Sequence, residues 1–479
     1  MTLKFFNSLT SKIEEFKPLK KNQAGVYTCG PTVYDFVTIG NWRTYFLGDL
    51  LVRTLKYFNY KISYVMNITD VGHLTGDNLG NADLGEDRME KASRREGRTA
   101  WDIAEYYTDD FLIGYKKLNL TWPDNKKFTK ATDHIKEQIE LVKKIEKNGF
   151  TYKTPDGIYF DILAYEAVGN RYGVLSTLDK IKLGARVKVK IKKKDPRDFA
   201  LWKFPPKDEK RQMEWPSPWG TGFPGWHIEC SAMSMKYLGE RFDIHLGGED
   251  LRSTHHPNEI AQSEAATGKK PFVNYWIHGA FLLVDNKRMG KSLGNAYTIS
   301  DIQKRGFDPL DLRYFYFNGH YRKQLNFTWK SMIAAHNSYE KLKTIVHEWS
   351  KKNSSKPTTK EIEGIEKYSV QFNDALSNDL FTPGVIATVW EMAHSDLPNY
   401  VKYKLIKNWD KILGLDLIQI SKRTVKIPNA VLILAKQREV YRQHNEWGKA
   451  DEFRKAINKK GYSIEDGKSG QVIKPIKKI

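Results

Sequence analysis

Apolar positions near the start of the chain follow two different spacings. Val26-Tyr27-Thr28, between Gly25 and Gly30, reads as a short strand that runs into a Cys29-Gly30-Pro31-Thr32 turn. After Ile39-Gly40-Asn41 the residues Tyr45, Leu47, Leu50, Leu51 and Leu55 fall at helical spacing. The mostly apolar run from Ile62 to Ile68 then reads as a buried strand. Strand, turn, helix, strand predicts the opening of a parallel α/β sheet.

Helical patterns dominate from Ser93 to Gly149. Between Tyr152 and about Glu209 the character changes. Gly157 to Ile162 predicts an edge strand. Within Lys180 to Lys194 the apolar Val187, Val189 and Ile191 interleave with Lys188, Lys190 and Lys192, as in a strand with one exposed face. This segment reads as a module inserted into the sheet domain. From Pro216 to Phe281 short glycine-bounded strands and helices resume the first sheet. Beyond Trp329 the patterns are helical until about Ile420, with a break in the polar loop around Pro357. The predicted fold class is α/β: a Rossmann-like parallel-sheet domain with an inserted module, followed by a C-terminal, mostly helical bundle.

Charge adds a class of partner. Lys+Arg number 78 against Asp+Glu 57, a formal net charge of +21 distributed along the whole chain. That suits a polyanion such as nucleic acid, and equally a lysine-rich solvated surface. A chain of 479 residues exceeds one core and predicts roughly two to four domains. Cys29 and Cys230 are the only cysteines, too few for a disulfide framework, which predicts a reducing, cytoplasmic setting. Met1 to Pro18 lacks the apolar core of a signal peptide, and no stretch has the apolar length to span a membrane, so no membrane association is expected.

Three constellations carry candidate chemistry. Thr254-His255-His256-Pro257-Asn258-Glu259-Ile260 reads as a helix start, with Pro257 in the first turn, where a missing N–H is tolerated. His255 and Glu259, four residues apart, share one helix face. A pair of thiolates would complete a tetrahedral zinc site with them. Two buried structural cysteines and a capping histidine fit the same residues, and cysteines so far apart carry no zinc-finger signature. Thr38-Ile39-Gly40-Asn41 sets a glycine at a helix N-terminus, where N–H groups and the dipole favour an anion; an ordinary strand-to-helix turn looks the same. The run from Lys287 to Asn295 is a basic, glycine-bearing loop after an apolar strand. It suits a phosphoryl group with developing charge, or simply a solvated surface.

Taken together, these stretches resemble the cysteinyl-tRNA synthetases, a class I family. Cys29-Gly30-Pro31-Thr32-Val33-Tyr34 resembles the family's opening, and Thr38-Ile39-Gly40-Asn41 stands at the class I HIGH position. Asn67-Ile68-Thr69-Asp70-Val71-Gly72-His73 resembles the next strand and turn. The runs Asp195 to Lys203, Pro224 to Met233 and His255 to Ser263 are specific to the family, and Arg288-Met289-Gly290-Lys291-Ser292 stands at the KMSKS position. Phe372 to Pro383 resembles the family's following helical domain. The resemblance covers nearly the whole chain and is strongest from Val26 to Asn295.

The resemblance implies a domain plan: residues 1–125 the first half of the catalytic domain, 126–212 the inserted connective module, 213–262 the second half with zinc ligands. It continues with 263–330 as the KMSKS-loop and stem-contact region, 331–420 as a helical bundle and 421–479 as a small anticodon-binding region. It implies one zinc ion per chain on Cys29, Cys230, His255 and Glu259, with His256 a neighbour of the site. Gly30, Thr69, Trp226, Gly248 and Asp250 would line the cysteine and adenylate pocket. Thr38, Gly40, Asn41, Arg288, Lys291 and Ser292 would handle ATP, with Mg2+. The implied partners are L-cysteine, ATP and tRNA(Cys), the implied state a monomer. Arg438, Arg442, Trp447, Lys449 and Arg454 are candidates for unpaired anticodon bases, which are read by stacking and edge contacts.

Two departures stand out. The family usually has His at Thr38 and at Asn41; both residues here donate hydrogen bonds but neither carries charge. At the KMSKS position Arg288 keeps a cation in place of the first lysine, and Gly290 removes a hydroxyl. Two other functions share parts of the pattern: a ligase joining cysteine to an amino sugar, and a non-catalytic zinc- or RNA-binding protein. The long basic C-terminal region weighs against the first, and the ATP-site motifs against the second.

Overall fold

The structure is a computed structural model that describes residues 2–72, 86–124, 127–176, 193–205, 211–290, 293–351, 357–420, 428–467 and 470–475. An antiparallel hairpin, β1 (Lys4–Asn7) and β2 (Lys12–Glu15), opens the chain. Five parallel strands then make the main sheet. β3 (Gln23–Thr28) is central, with β4 (Lys61–Ile68) and β5 (Thr129–Lys130) on one side and β10 (Phe242–Gly248) and β11 (Val273–Gly279) on the other. The strand–helix–strand opening predicted from spacing is therefore present: β3 leads through α1 (Ile39–Tyr57) to β4. Trp42, Phe46, Leu47, Leu50, Leu51 and Leu55 form the buried stripe of α1. The chain builds outward from β3 in one direction and later returns to its other flank. The order therefore reverses between β3 and β10, the place where an open parallel sheet forms a crevice at its carboxyl ends.

Helices α2 (Arg88–Glu96), α3 (Ala100–Lys117) and α4 (Ile135–Lys147) follow, in line with the helical pattern there. The next sheet is antiparallel, in the order β6 (Thr151–Thr154), β7 (Gly157–Phe160), β8 (Ala200–Lys203), β9 (Phe223–Pro224). The edge-strand reading of Gly157 to Ile162 is corrected here. β7 is an interior strand with all four residues buried, and Ile162 already begins α5 (Ile162–Ala167). Its apolar residues need cover on both faces, and a strand distant in sequence, β8, supplies the second pairing edge. The Lys188–Ile191 alternation lies outside the described residues.

Two helices are shared by both sheets. α6 (Trp226–Leu238) and α7 (His255–Thr267) give Ile228, Ala232, Ala261 and Ala265 to the core of the antiparallel sheet. Their residues Cys230, Met233 and Ile260 belong to the core of the parallel one. A small sheet, β13 (Lys287–Arg288), β12 (Leu282–Val284) and β14 (Leu325–Phe327), with α8 (Ile299–Lys304) and α9 (Pro309–Phe317), leads to the bundle. Its helices are α10 (Trp329–Trp349), α11 (Thr359–Ser377), α12 (Thr382–His394), α13 (Asn399–Leu413) and α14 (Leu417–Ile420). Pro357 falls between α10 and α11. The bundle core includes the parallel stack of Phe372 on Trp409, centroids 4.5 Å apart. Last come α15 (Asn429–Gln443), α16 (Trp447–Lys459) and the hairpin β15 (Tyr462–Gly467) and β16 (Gly470–Pro475), around a separate small core of Val431, Ala435, Ile457 and Ile464. Among the described residues no helix is long and apolar enough to cross a membrane.

Candidate active site

The crevice between β3 and β10 gathers the metal-type donors. Cys29 is the first residue after β3, and its N–H donates to Leu246 O of β10. Cys230 comes from α6, and His255 and Glu259 from the first turns of α7. All four are buried. The two sulfurs are 4.0 Å apart, and His255 Nε2 lies 3.1 Å from Glu259 Oε1. One donor atom from each of Cys29, Cys230, His255 and Glu259 falls within 4.8 Å of the other three. The far-separated cysteines thus meet because one ends a central strand and the other sits on the helix packed over it.

A second set, Cys29, His245, His256 and Glu259, satisfies the same distance test. Hydrogen bonding distinguishes the two. His255 Nδ1 is engaged by His227 Nδ1 at 3.0 Å, which leaves Nε2 facing the cluster. Glu259 Oε2 is engaged by His245 Nε2 at 3.0 Å, and Glu259 Oε1 is buried with no hydrogen bond. The two α7 ligands of the first set are therefore each oriented by an outer histidine with the other donor atom left to the cluster, as metal ligands are. In the second set His245 Nε2 is already committed to Glu259. His256 is more intimate with the site than a mere neighbour: its Nε2 is 3.5 Å from Cys29 Sγ, while its Nδ1 meets His278 Nε2 at 2.7 Å, and His278 Nδ1 meets Ser8 Oγ at 2.8 Å.

Electrostatics acts on the donors unequally. The Cys29 thiol, donating to Cys230, brings the Cys230 thiol down to about 6 despite burial. Burial raises the Cys29 thiol well above its usual range. For Glu259 burial acts upward, but the imidazole of His245, hydrogen-bonded to it, and that of His255 close by outweigh it and hold the carboxyl at about 2. Two thiols, an imidazole and a carboxylate in a dry tetrad make a donor set that fits zinc.

Beside the tetrad, Trp226 packs on His255 with ring centroids 4.5 Å apart. Thr69 Oγ1 donates to the buried Glu229 at 3.0 Å and accepts from Asn67 Nδ2. Gly30 donates its N–H to Asn67 Oδ1, and a Cβ there would sit 1.7 Å from Asn67 O, so no side chain fits. Gly248 abuts Asp250, which is exposed. Gly30 and Thr69 thus share Asn67 as a partner, Trp226 stands on the tetrad's His255, and Gly248 lies against Asp250.

The phosphate-type elements lie at the start of α1. Thr38 caps the helix, and Asn41 completes a capping box: Thr38 Oγ1 donates to Asn41 Oδ1 at 2.7 Å and accepts from Asn41 N at 3.4 Å. The two residues at the usual histidine positions are therefore bonded to each other. A Cβ on Gly40 would meet Met289 at 3.5 Å, so the Arg288–Gly290 strand end packs directly over the helix start. Asn295 closes that loop by accepting from Gly290 N and donating to Arg288 O. Lys291 and Ser292 lie outside the described residues, as does His73. Arg43, unremarked in the sequence, is buried in α1 and donates to four carbonyls, of Ala280, Phe281, His320 and Lys323, riveting the helix to the segment that leads to Arg288.

Sequence reasoning also passed over His245 and His278; a histidine inside a fully buried strand, as at His245 in β10, was the available signal. One tRNA candidate is corrected. Arg438 is buried and forms a bidentate pair with Asp466 at 2.8 and 2.9 Å, a structural bond inside the small C-terminal unit. Arg442 lies over the Trp447 ring, and Trp447 is exposed.

The chain matches the family model described as the class I (C) tRNA synthetase catalytic domain over residues 15–337. It is 42% identical over 473 residues to cysteine–tRNA ligase 1 of Burkholderia lata, covering 98% of this chain and 96% of that one. It is 41% identical over 493 residues to the cysteine–tRNA ligase of Treponema denticola, covering 97% and 98%. In fold it is similar to the methionyl-tRNA synthetase of Mycobacterium tuberculosis in complex with methionyl-adenylate, with a TM-score of 0.60 at 12% identity, covering 85% and 94%.

Proposed function

Because the chain belongs to the cysteinyl-tRNA synthetase family of class I aminoacyl-tRNA synthetases, we propose that it activates L-cysteine with ATP and Mg2+ and transfers it to the 3′ end of tRNA(Cys) in the cytoplasm. The observation that carries this reading is the buried tetrad of Cys29, Cys230, His255 and Glu259, with Trp226 packed on His255. Those four residues would hold zinc. Bound there, zinc would take the substrate thiol as thiolate, a ligand that a serine hydroxyl replaces poorly.

In the first step the cysteine carboxylate attacks the α-phosphorus of ATP, giving cysteinyl-adenylate and pyrophosphate. The terminal ribose hydroxyl of tRNA then takes the cysteinyl group. Neither step needs a covalent enzyme intermediate, so positioning and charge stabilisation carry the rate. His227 and His245 hold His255 and Glu259 in orientation. Trp226 excludes water from one side. The N-terminus of α1 after Gly40 offers N–H groups to phosphate. Arg288, whose neighbour Met289 packs over Gly40, and Lys291 would supply cations. Engagement of phosphate requires the Thr38–Asn41 pair to release or share its hydrogen bonds.

Thiolate selection makes serine rejection a property of activation, with no separate hydrolytic step. A lost strong polar contact discriminates by about 10⁴–10⁵, against about 10² for an apolar pocket. The cysteine–amino-sugar ligase and the non-catalytic binding protein are not favoured, since relatives aligned over almost their whole length are named as cysteine–tRNA ligases. Cysteine-dependent ATP–pyrophosphate exchange tests the first step, and cysteine transfer to tRNA the second. Exchange without transfer to tRNA would point to the amino-sugar ligase, and absence of both to a binding protein.

A further inference from the structure

A second cluster of metal-type donors lies where α9 meets α10, away from the thiols. Asp311 is the third residue of α9, and His336 and Glu340 are four apart on α10. Donor atoms of all three fall within 4.8 Å of one another. His336 Nδ1 is 2.9 Å from Asp311 Oδ2 and 4.0 Å from Glu340 Oε1.

The Asp311 carboxylate carries the argument. Its side chain is 0% exposed. Oδ2 accepts from Asp308 N, completing a capping box, and meets His336, but Oδ1 is buried with no hydrogen bond. No Lys or Arg bridges to it among the described residues. Among the described residues this buried carboxylate keeps one oxygen without a hydrogen bond and has an imidazole, not a Lys or Arg, against it. The edge of the cluster is open: His336 is 16% and Glu340 40% exposed, so an ion has an entry path. Phe307, edge-on to His336 at 5.7 Å, closes another side.

We propose that Asp311, His336 and Glu340 form a second, oxygen-rich site for a divalent transition-metal ion such as zinc, pinning the first bundle helix to the catalytic part. One imidazole and two carboxylates with a vacant direction towards solvent suit zinc, which water would complete. Lys343 Nζ, 2.7 Å from Glu340 Oε1, competes for that ligand and would swing away on binding.

The test is zinc titration of chelator-stripped, full-length protein, with bound metal counted after gel filtration. Wild type should take up two equivalents. His336→Ala should lose one, and the Cys230→Ser, His255→Ala double variant should lose the other. With cobalt as probe, the equivalent left in the double variant should show no sulfur-to-metal charge transfer. Glu340→Gln, on the solvent side of α10, repeats the test should His336→Ala fail to fold. A wild type with no equivalent free of sulfur-to-metal charge transfer, or such an equivalent retained by both His336→Ala and Glu340→Gln, overturns the proposal. Loss of the thiolate equivalent alone would instead strike at the tetrad reading and leave this one standing.

Discussion

The thiol tetrad and the start of α1 both stand at the carboxyl end of β3, yet they are built in opposite ways. In the tetrad every donor is buried, and its two α7 ligands are each oriented by an outer histidine. At the helix start Thr38 is half-buried and Asn41 exposed, and their side chains bond to each other. The difference follows from the tasks. A soft-metal selection of thiol over hydroxyl works best when geometry is fixed and water is absent. A nucleotide must enter and leave, so the groups that meet its phosphates keep local partners until it arrives. On the proposed function, selection would be preformed and ATP activation assembled on binding.

The strongest way to break this contrast is at the tetrad. In the Cys230→Ser, His255→Ala double variant, zinc at that site should be lost and the preference for cysteine over serine, about 10⁴–10⁵ for a selection of this kind, should collapse. The ratio of exchange kcat/KM for the two amino acids measures it. A preference that survives would show that the tetrad does not select.

On the assembled side, Lys291→Ala should slow pre-steady-state adenylate formation by about 10²–10³ with a smaller change in cysteine affinity. Arg288→Ala should be slow as well, though less so. An unchanged rate would mean that the loop over Gly40 is not the ATP-activating element.

A third substitution sharpens the preformed side. His245→Gln removes the imidazole that orients Glu259 without touching a ligand, and should weaken metal binding by about 10–100-fold in a chelator competition. The smallest effect is expected at Thr38. Thr38→Ala removes a neutral capping bond and should cost about 1 kcal/mol of helix stability, with a rate loss below about tenfold, since such a bond contributes about 0.5–1.5 kcal/mol. Thr38→His then reports whether the usual imidazole is absent or compensated: a faster adenylate step means absent.

Local signals were legible in the sequence where spacing alone decides structure. Val26-Tyr27-Thr28, the α1 stripe and Ile62 to Ile68 became β3, α1 and β4. Gly157 to Phe160 misled because four apolar residues look alike at an edge or in an interior, and the deciding partner, Ala200–Lys203, lies forty residues on. At the site, His255 and Glu259 were readable as a helical pair, but nothing in their spacing could bring Cys29 to Cys230. That contact depends on strand order, which a linear pattern does not contain. The outer histidines were hidden for the same reason. Arg438 shows the converse: a basic residue near the C-terminus looks like a nucleic-acid contact until Asp466, from a later strand, is seen to hold it.

The central claim is that this chain activates cysteine through the tetrad. Its most direct test is ATP–pyrophosphate exchange on metal-analysed protein, with cysteine and with serine, for wild type and the Cys230→Ser, His255→Ala variant. The account predicts exchange with cysteine that far exceeds that with serine, and its disappearance together with the tetrad's zinc in the variant. Exchange that is equal for the two amino acids, or that persists in the variant after that zinc is gone, would contradict it.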